Sequence, residues 1–173
     1  MLQTIRRKCR RRDERGAALV EFALLLPILM SLLLGTVTGG SLYNKKLAMT
    51  SASREGSRFG ATLDGPTTAG WAVDVQKRTD ELSSDVELSN ICVKLVKVGS
   101  PDLYTQLGSD CSSTTPPANP STAAAGDCLV KVWVRQPGNK LQAMFFSVDI
   151  TLTTDSVSRY EGTAPGATVA DSC

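Results

Sequence analysis

One apolar segment near the N-terminus constrains this chain more than any other feature. Residues 17–38 contain a single charged side chain, Glu21, and the segment exceeds the roughly 20 residues that a helix needs to cross a bilayer. A lone segment in lipid must satisfy its own backbone hydrogen bonds, which only a helix can do. The sequence therefore predicts a membrane-spanning helix over residues 17–38, kinked at Pro27.

The residues before this segment predict its orientation. Seven basic and two acidic side chains precede Gly16, and removing them from the 19 basic and 17 acidic residues of the whole chain leaves a charge of −3 from Ala17 onward. Lys and Arg beside an apolar segment hold that end in the cytoplasm. Residues 1–16 are therefore predicted to be a cytoplasmic leader, and the residues after the spanning segment, 39–173, are expected on the outer side of the cytoplasmic membrane. The charge distribution gives no reason to expect nucleic-acid binding.

Two simpler interpretations of this segment stay open. A cleaved secretory signal peptide also begins with positive charge, but its apolar core is shorter and ends in a small-residue A-x-A site, which is absent here. A plain membrane anchor fits the length. Neither explains Glu21, because a charge within a spanning helix costs about 2.5 to 3.5 kcal/mol on insertion scales and is a functional candidate by default. Snorkelling of Glu21 to the membrane interface is the structural alternative.

The residues around Glu21 also resemble a known processing site. A basic leader, Gly16 and then AALVEF are similar to the processing site of type IV prepilins and pseudopilins. The longer stretch from residue 15 to residue 62, with its VEFAL, LP and SREGSRFGA motifs, resembles the TadE-like family of Tad (Flp-type) pilus assembly proteins. A looser likeness is SVSRYE at residues 156–161.

This resemblance implies cleavage between Gly16 and Ala17 by a prepilin peptidase, and a role in assembly for Glu21 and Phe22. Cleavage would create an α-amino group at Ala17, with an ordinary pKa of about 7.7 to 8.0. In pilins of this kind the glutamate pairs with the amino terminus of a neighbouring subunit. An intact buried pair adds little net stability, whereas loss of one partner is costly, so the pair would set the register between subunits.

The predicted fold class is α+β: a pilin-like long N-terminal helix, membrane-spanning in its first half, packed on a small antiparallel sheet. The helix is expected to continue outside the membrane over residues 39–62. Residues 63–173 are predicted to form a small extracytoplasmic α+β domain with a second helix over 71–83 and strands over 91–98, 129–135 and 146–153. A polar loop is expected at 99–127. The last strand alternates, which predicts a buried face of Phe146, Val148, Ile150 and Leu152.

Small residues recur at four-residue intervals along the predicted helix, a spacing that allows close contact between elements. A packing role is predicted for Gly35, Gly39, Gly56 and Gly60. A break in the helix near Gly39 and Gly40 is the alternative.

The cysteines predict disulfides rather than a metal site. Cys9 lies in the leader, whereas Cys92, Cys111, Cys128 and Cys173 lie in the part expected outside. Four thiols in an exported domain predict two disulfides, with three connectivities that sequence cannot separate. The preferred pairing is Cys111 with Cys128, which leaves Cys92 for Cys173. A zinc site is disfavoured because the chain has no histidine and no C-x-x-C pair.

The absence of histidine also removes the usual general base of serine and cysteine nucleophiles. No catalytic residue and no cofactor are predicted. Two functions are left. The first is a minor pilin or pseudopilin of a Tad-type pilus, cut by a prepilin peptidase and joined to other subunits in assembly or adhesion. The second is a permanently anchored single-pass binding module outside the membrane.

Overall fold

The computed structural model describes residues 3–63, 69–83, 86–100, 111 and 115–161, and the side chains of the first helix from Gly16 onward. The helices are α1 (Gln3–Thr62) and α2 (Ala69–Ser83), followed by a 3-10 turn at Leu88–Asn90. The strands are β1 (Ile91–Lys97), β2 (Cys128–Gln142) and β3 (Ser147–Arg159), in the sheet order β1-β2-β3. A long N-terminal helix packed on a small antiparallel sheet confirms the predicted α+β class.

Helix α1 is longer than predicted. It begins at Gln3 rather than at Ala17 and is 60 residues long, because the leader is rich in Arg and Lys, which are good helix formers. Pro27 lies inside the helix, and the chain stays helical through Gly39 and Gly40. The chain divides into two compact units, one of Met1–Ser41 with Lys140–Asp149 and one of Leu42–Asn139 with Ile150–Cys173.

The core of the second unit lies between its helices and one face of the sheet. Strands β1 and β2 pair with Val93 opposite Val132 and Leu95 opposite Val130. These four side chains form a buried cluster with residues of α1, α2 and the end of the sheet: Ala61, Trp71, Ala72, Val75, Cys128 and Tyr160. A second cluster contains Met49, Val86, Ile91, Val134 and Leu152.

The opposite face of these strands is covered as well. Trp133 is 4% exposed and packs with Cys92 and Cys111. The ammonium group of Lys131 donates a hydrogen bond of 2.6 Å to the carbonyl oxygen of Pro117. The segment that carries Pro117 therefore lies over this face, which explains why residues on both sides of β2 are buried.

Hydroxyl groups make part of the contact between α1 and β3, beside the apolar contact of the second cluster. The Ser57 Oγ lies 2.9 Å from the Ser156 Oγ and 2.8 Å from the Ser158 Oγ. Two helical turns earlier, Thr154 Oγ1 lies 3.2 Å from Thr50 Oγ1. Hydrogen bonding is the condition under which polar side chains are tolerated in a protein interior, and Thr154 and Ser57 are both buried.

This polar contact explains why β3 is longer at its C-terminal end than the apolar pattern predicts. The prediction stopped at Thr153, whereas β3 continues to Arg159 because its last inward side chains bond to the helix instead of entering an apolar core. The predicted apolar face is correct only in part. Leu152 is buried and Ile150 packs against the same cluster, but Phe146 and Val148 are 59% and 48% exposed.

Candidate processing and assembly segment of the N-terminal helix

The residues predicted for processing and assembly lie on two turns of α1. Gly16, Ala17, Glu21 and Phe22 are helical and exposed. Ala17 and Glu21 are four residues apart, so they share a face of the helix and are separated by about 6 Å along its axis. The carboxylate of Glu21 and the amide nitrogen of Ala17 therefore lie on the same side of the segment.

The surface around Glu21 is apolar in every direction. Leu24, Leu25 and Leu26 expose 69%, 56% and 37% of their area, and three consecutive residues point to three different sides of a helix. From Gly16 onward this helix is long and apolar enough to cross a membrane, and none of its most apolar window is buried. An all-round apolar surface is typical of a helix that is surrounded by lipid or by other apolar helices.

Glu21 has no charged partner here. In the part of the chain that the structure describes, its carboxylate takes part in none of the ion pairs. Gly16 likewise has no neighbour, since a Cβ atom added to it would meet nothing within 4 Å. Neither residue is therefore explained by packing among the described residues.

The four glycines predicted for packing have different surroundings. A Cβ at Gly60 would lie 2.8 Å from Val75 Cγ2, and a Cβ at Gly56 would lie 3.2 Å from Thr79 Cβ, so α2 comes very close to α1 at both places. A Cβ at Gly39 would make an ordinary contact of 3.8 Å with Leu141, and one at Gly35 would meet nothing.

The preferred disulfide pairing was wrong. Cys92 is bonded to Cys111, with 5.7 Å between their Cα atoms. Cys128 is also disulfide-bonded, and Cys173 and the side chain of Cys9 lie outside the described residues. The reason is the register of the sheet: Cys92 lies opposite Trp133 on one face, whereas Cys128 belongs to the core on the other face. Cys111 is on the face of Cys92.

A groove in the second unit has a volume of about 560 Å³ and is lined in part by Thr115, Pro117, Arg135, Thr153 and Asp155. Among the described residues that line it, Asp155 is the one carboxylate, and there is no histidine or cysteine. Among the described residues, no group of three His, Cys, Asp or Glu side chains could hold a metal ion.

Comparison with known proteins gives a match in the N-terminal part of the chain. No curated protein and no solved structure matches this chain. The family model described as TadE-like protein matches residues 16–58, about a quarter of the chain. The match begins at Gly16, includes Glu21, and ends between the close-approach glycines Gly56 and Gly60. Over residues 16–58 this chain is therefore similar to the TadE-like proteins, a family associated with the Tad pilus.

Proposed function

We propose that this chain is a minor pilin or pseudopilin of a Tad-type pilus, and that a prepilin peptidase cuts it between Gly16 and Ala17. The observation that carries the proposal is the TadE-like match beginning at Gly16. It is supported by the exposure of Glu21, which has no ion-pair partner in the described structure. The chain is then the substrate of an enzyme and not an enzyme itself.

Gly16 supports cleavage at this site, because a glycine within a helix lowers the stability of that helix. Glycine in a helix interior is less favourable than alanine by about 1 kcal/mol, and Gly16 has open space around it. No contact within the described chain requires a residue as small as glycine at this position. Its small size is therefore explained by a peptidase that binds closely around the bond it cuts.

The glutamate supports assembly. Cleavage would place a new α-amino group at Ala17, about one helical turn from the Glu21 carboxylate and on the same face of an apolar segment. Breaking a buried ion pair by removing one partner costs about 3 to 5 kcal/mol. Contact between the amine of one subunit and the carboxylate of the next would fix their axial register, and other pilin subunits are the proposed partners.

N-terminal sequencing of the protein from cells with and without the prepilin peptidase tests the cleavage. We expect Ala17 as the first residue only when the peptidase is present. Gly16→Val should accumulate the uncut precursor, whereas Gly40→Val, at another helical glycine with nothing within 4 Å, should be processed normally. An intact Met1 in the mature pool would reject the proposal and favour the anchored binding module.

Glu21→Ala tests assembly separately from cleavage. Removing a charge eases entry into lipid, so we expect normal insertion and normal cleavage with few or no pili in the sheared fraction. Glu21→Asp keeps the charge and should keep part of the assembly. Normal piliation and adhesion with Glu21→Ala would show that the glutamate has no role in subunit contact.

A further inference from the structure

The turn between β2 and β3 exposes an unusual amount of apolar surface. Met144, Phe145, Phe146 and Val148, together called the hairpin tip, are 50%, 71%, 59% and 48% exposed. The turn itself is ordered by a hydrogen bond of 2.9 Å from the Ala143 amide to the Phe146 carbonyl oxygen. Two adjacent exposed phenylalanines on a defined turn make a compact apolar patch, a feature that marks interaction sites on proteins.

The hairpin is attached to α1 close to the end of its apolar stretch. The Thr38 hydroxyl lies 3.0 Å from the Gln142 carbonyl oxygen, and a Cβ at Gly39 would lie 3.8 Å from Leu141 Cδ1. These residues and the hairpin tip belong to one compact unit of the structure. Leu141 faces Gly39, and the next residue of the strand, Gln142, faces Thr38. The end of β2 therefore runs antiparallel to α1, and the turn that follows it lies towards the apolar stretch of the helix.

The position of Thr38 defines the depth of this attachment. From Ala17 to Thr38 the helix rises by about 32 Å at 1.5 Å per residue, close to the roughly 30 Å thickness of the hydrocarbon core. A helix that spans the membrane over this stretch has Thr38 at the outer boundary of the lipid. The hairpin tip, attached at Thr38 and directed towards the apolar stretch, is then at the same boundary.

The charged residues of the hairpin lie beside its tip and not on it. Residues 141–148 carry no charged side chain, and the two residues that flank them, Lys140 and Asp149, are 3.9 Å apart and exposed. Phenylalanine and aliphatic side chains beside charged residues are also what interfacial amphipathic helices present to the boundary between lipid and water.

We propose that the hairpin tip inserts into the outer leaflet of the cytoplasmic membrane as a second lipid contact beside the spanning helix. The lipid, rather than another protein, is assigned because the strand that carries the patch is attached to α1 at the end of its apolar stretch, within one unit. The inference rests on the membrane orientation given under the proposed function, and it does not depend on cleavage at Gly16. It implies that the chain must lose two lipid contacts when it leaves the membrane.

Tryptophan fluorescence of the full-length chain in vesicles tests the proposal. The two natural tryptophans, Trp71 and Trp133, are 3% and 4% exposed, so they give a background that lipid cannot reach. F145W adds a probe on the hairpin tip, and L88W adds a matched probe at a residue that is 45% exposed on the 3-10 turn of the other unit. The vesicles contain phosphatidylethanolamine and phosphatidylglycerol, with or without bromine on the acyl chains.

We expect the added emission of F145W to be blue-shifted and to lose intensity in brominated vesicles, and that of L88W to be unchanged by bromine. F146W, on the same tip, should behave as F145W does. Emission from F145W that bromine quenches no more than that of L88W would overturn the proposal. So would a blue shift without bromine quenching that disappears as the protein is diluted in lipid, since that pattern indicates contact with a second copy.

Flotation of the vesicles separates this inference from the proposed function. A chain that floats with the vesicles while F145W is not quenched rejects the tip contact alone. A chain that does not float rejects the spanning helix, and the tip contact with it. If N-terminal sequencing finds only uncut protein in cells, the pilin assignment is rejected. The fluorescence result does not depend on that outcome.

Discussion

The close approach of α1 and α2 at Gly60 gives the sharpest test of the structure. An alanine Cβ at this position would lie 2.8 Å from Val75 Cγ2, 3.1 Å from Val130 Cγ1 and 3.2 Å from Trp71 Cζ2. All three neighbours are buried, and the Trp71 indole donates a hydrogen bond of 3.1 Å to the carbonyl oxygen of Gly60. None of them can move away without disturbing the core.

Two effects of Gly60→Ala oppose each other. Overpacking a core costs about 1 to 3 kcal/mol, and replacing glycine by alanine in a helix contributes about 1 kcal/mol of stability. Gly40→Ala has the second effect without the first, because a Cβ there meets nothing within 4 Å. The difference between the two variants therefore isolates the steric cost, and we expect Gly60→Ala to be less stable than Gly40→Ala by about 1 to 3 kcal/mol.

The assay is denaturant unfolding of the full-length chain in detergent, followed by the fluorescence of the buried tryptophans. Val75→Ala removes the closest contact, so the Gly60→Ala/Val75→Ala double variant should lose less stability than the sum of the single variants, by about 0.5 to 3 kcal/mol. Equal stability of Gly60→Ala and Gly40→Ala, together with additive effects in the double variant, would refute the close approach.

Two further variants probe the second unit. Replacing both Cys92 and Cys111 by serine should lower the free energy of unfolding by about 3 kcal/mol, the value for a loop of this length, and non-reducing peptide mapping should recover these two cysteines in one linked pair. A map that joins Cys111 to Cys128 would contradict the register of the sheet. Arg159→Ala removes an ion pair of 2.8 Å to Asp127 in which the arginine is 67% exposed. The loss should stay within about 1 kcal/mol, and a larger loss in the same unfolding assay would show that Arg159 has a structural role beyond this pair.

Sequence reasoning succeeded where the residues themselves specify the structure. The apolar length of residues 17–38 and the absence of proline from Tyr43 to Gly60 predict one long helix. The β-rich composition of residues 91–98 predicts β1, and alternation over residues 129–135 predicts the first part of β2, which continues to Gln142. The start of α1 was missed because the leader was interpreted through its charge, although Arg and Lys also favour helix. The end of β3 was missed because hydroxyl contacts such as that of Ser57 with Ser158 leave no apolar pattern.

The disulfide pairing and the exposed hairpin tip required the register of the strands. Alternation predicts which side chains of a strand share a face, but not which face meets a helix or where the partner element ends. Phe146 and Ile150 belong to one alternating set, yet Ile150 packs in a cluster and Phe146 is exposed. The segment around Glu21 needed no tertiary information, since a charge in an apolar helix is visible in the sequence itself.

The bond between Cys92 and Cys111 joins β1 to the segment that covers the face of the sheet turned away from the helices. Disulfides persist in oxidising compartments and are kept reduced in the cytosol. The helix-facing core contains Val93, Val130 and Trp71 and does not use this bond. Both faces of the sheet therefore contain an oxidised cysteine: Cys92 and Cys111 are joined on the far side, and Cys128 in the helix-facing core is disulfide-bonded as well. Because Trp133 packs against both Cys92 and Cys111, we expect its fluorescence to differ between the oxidised and the reduced chain.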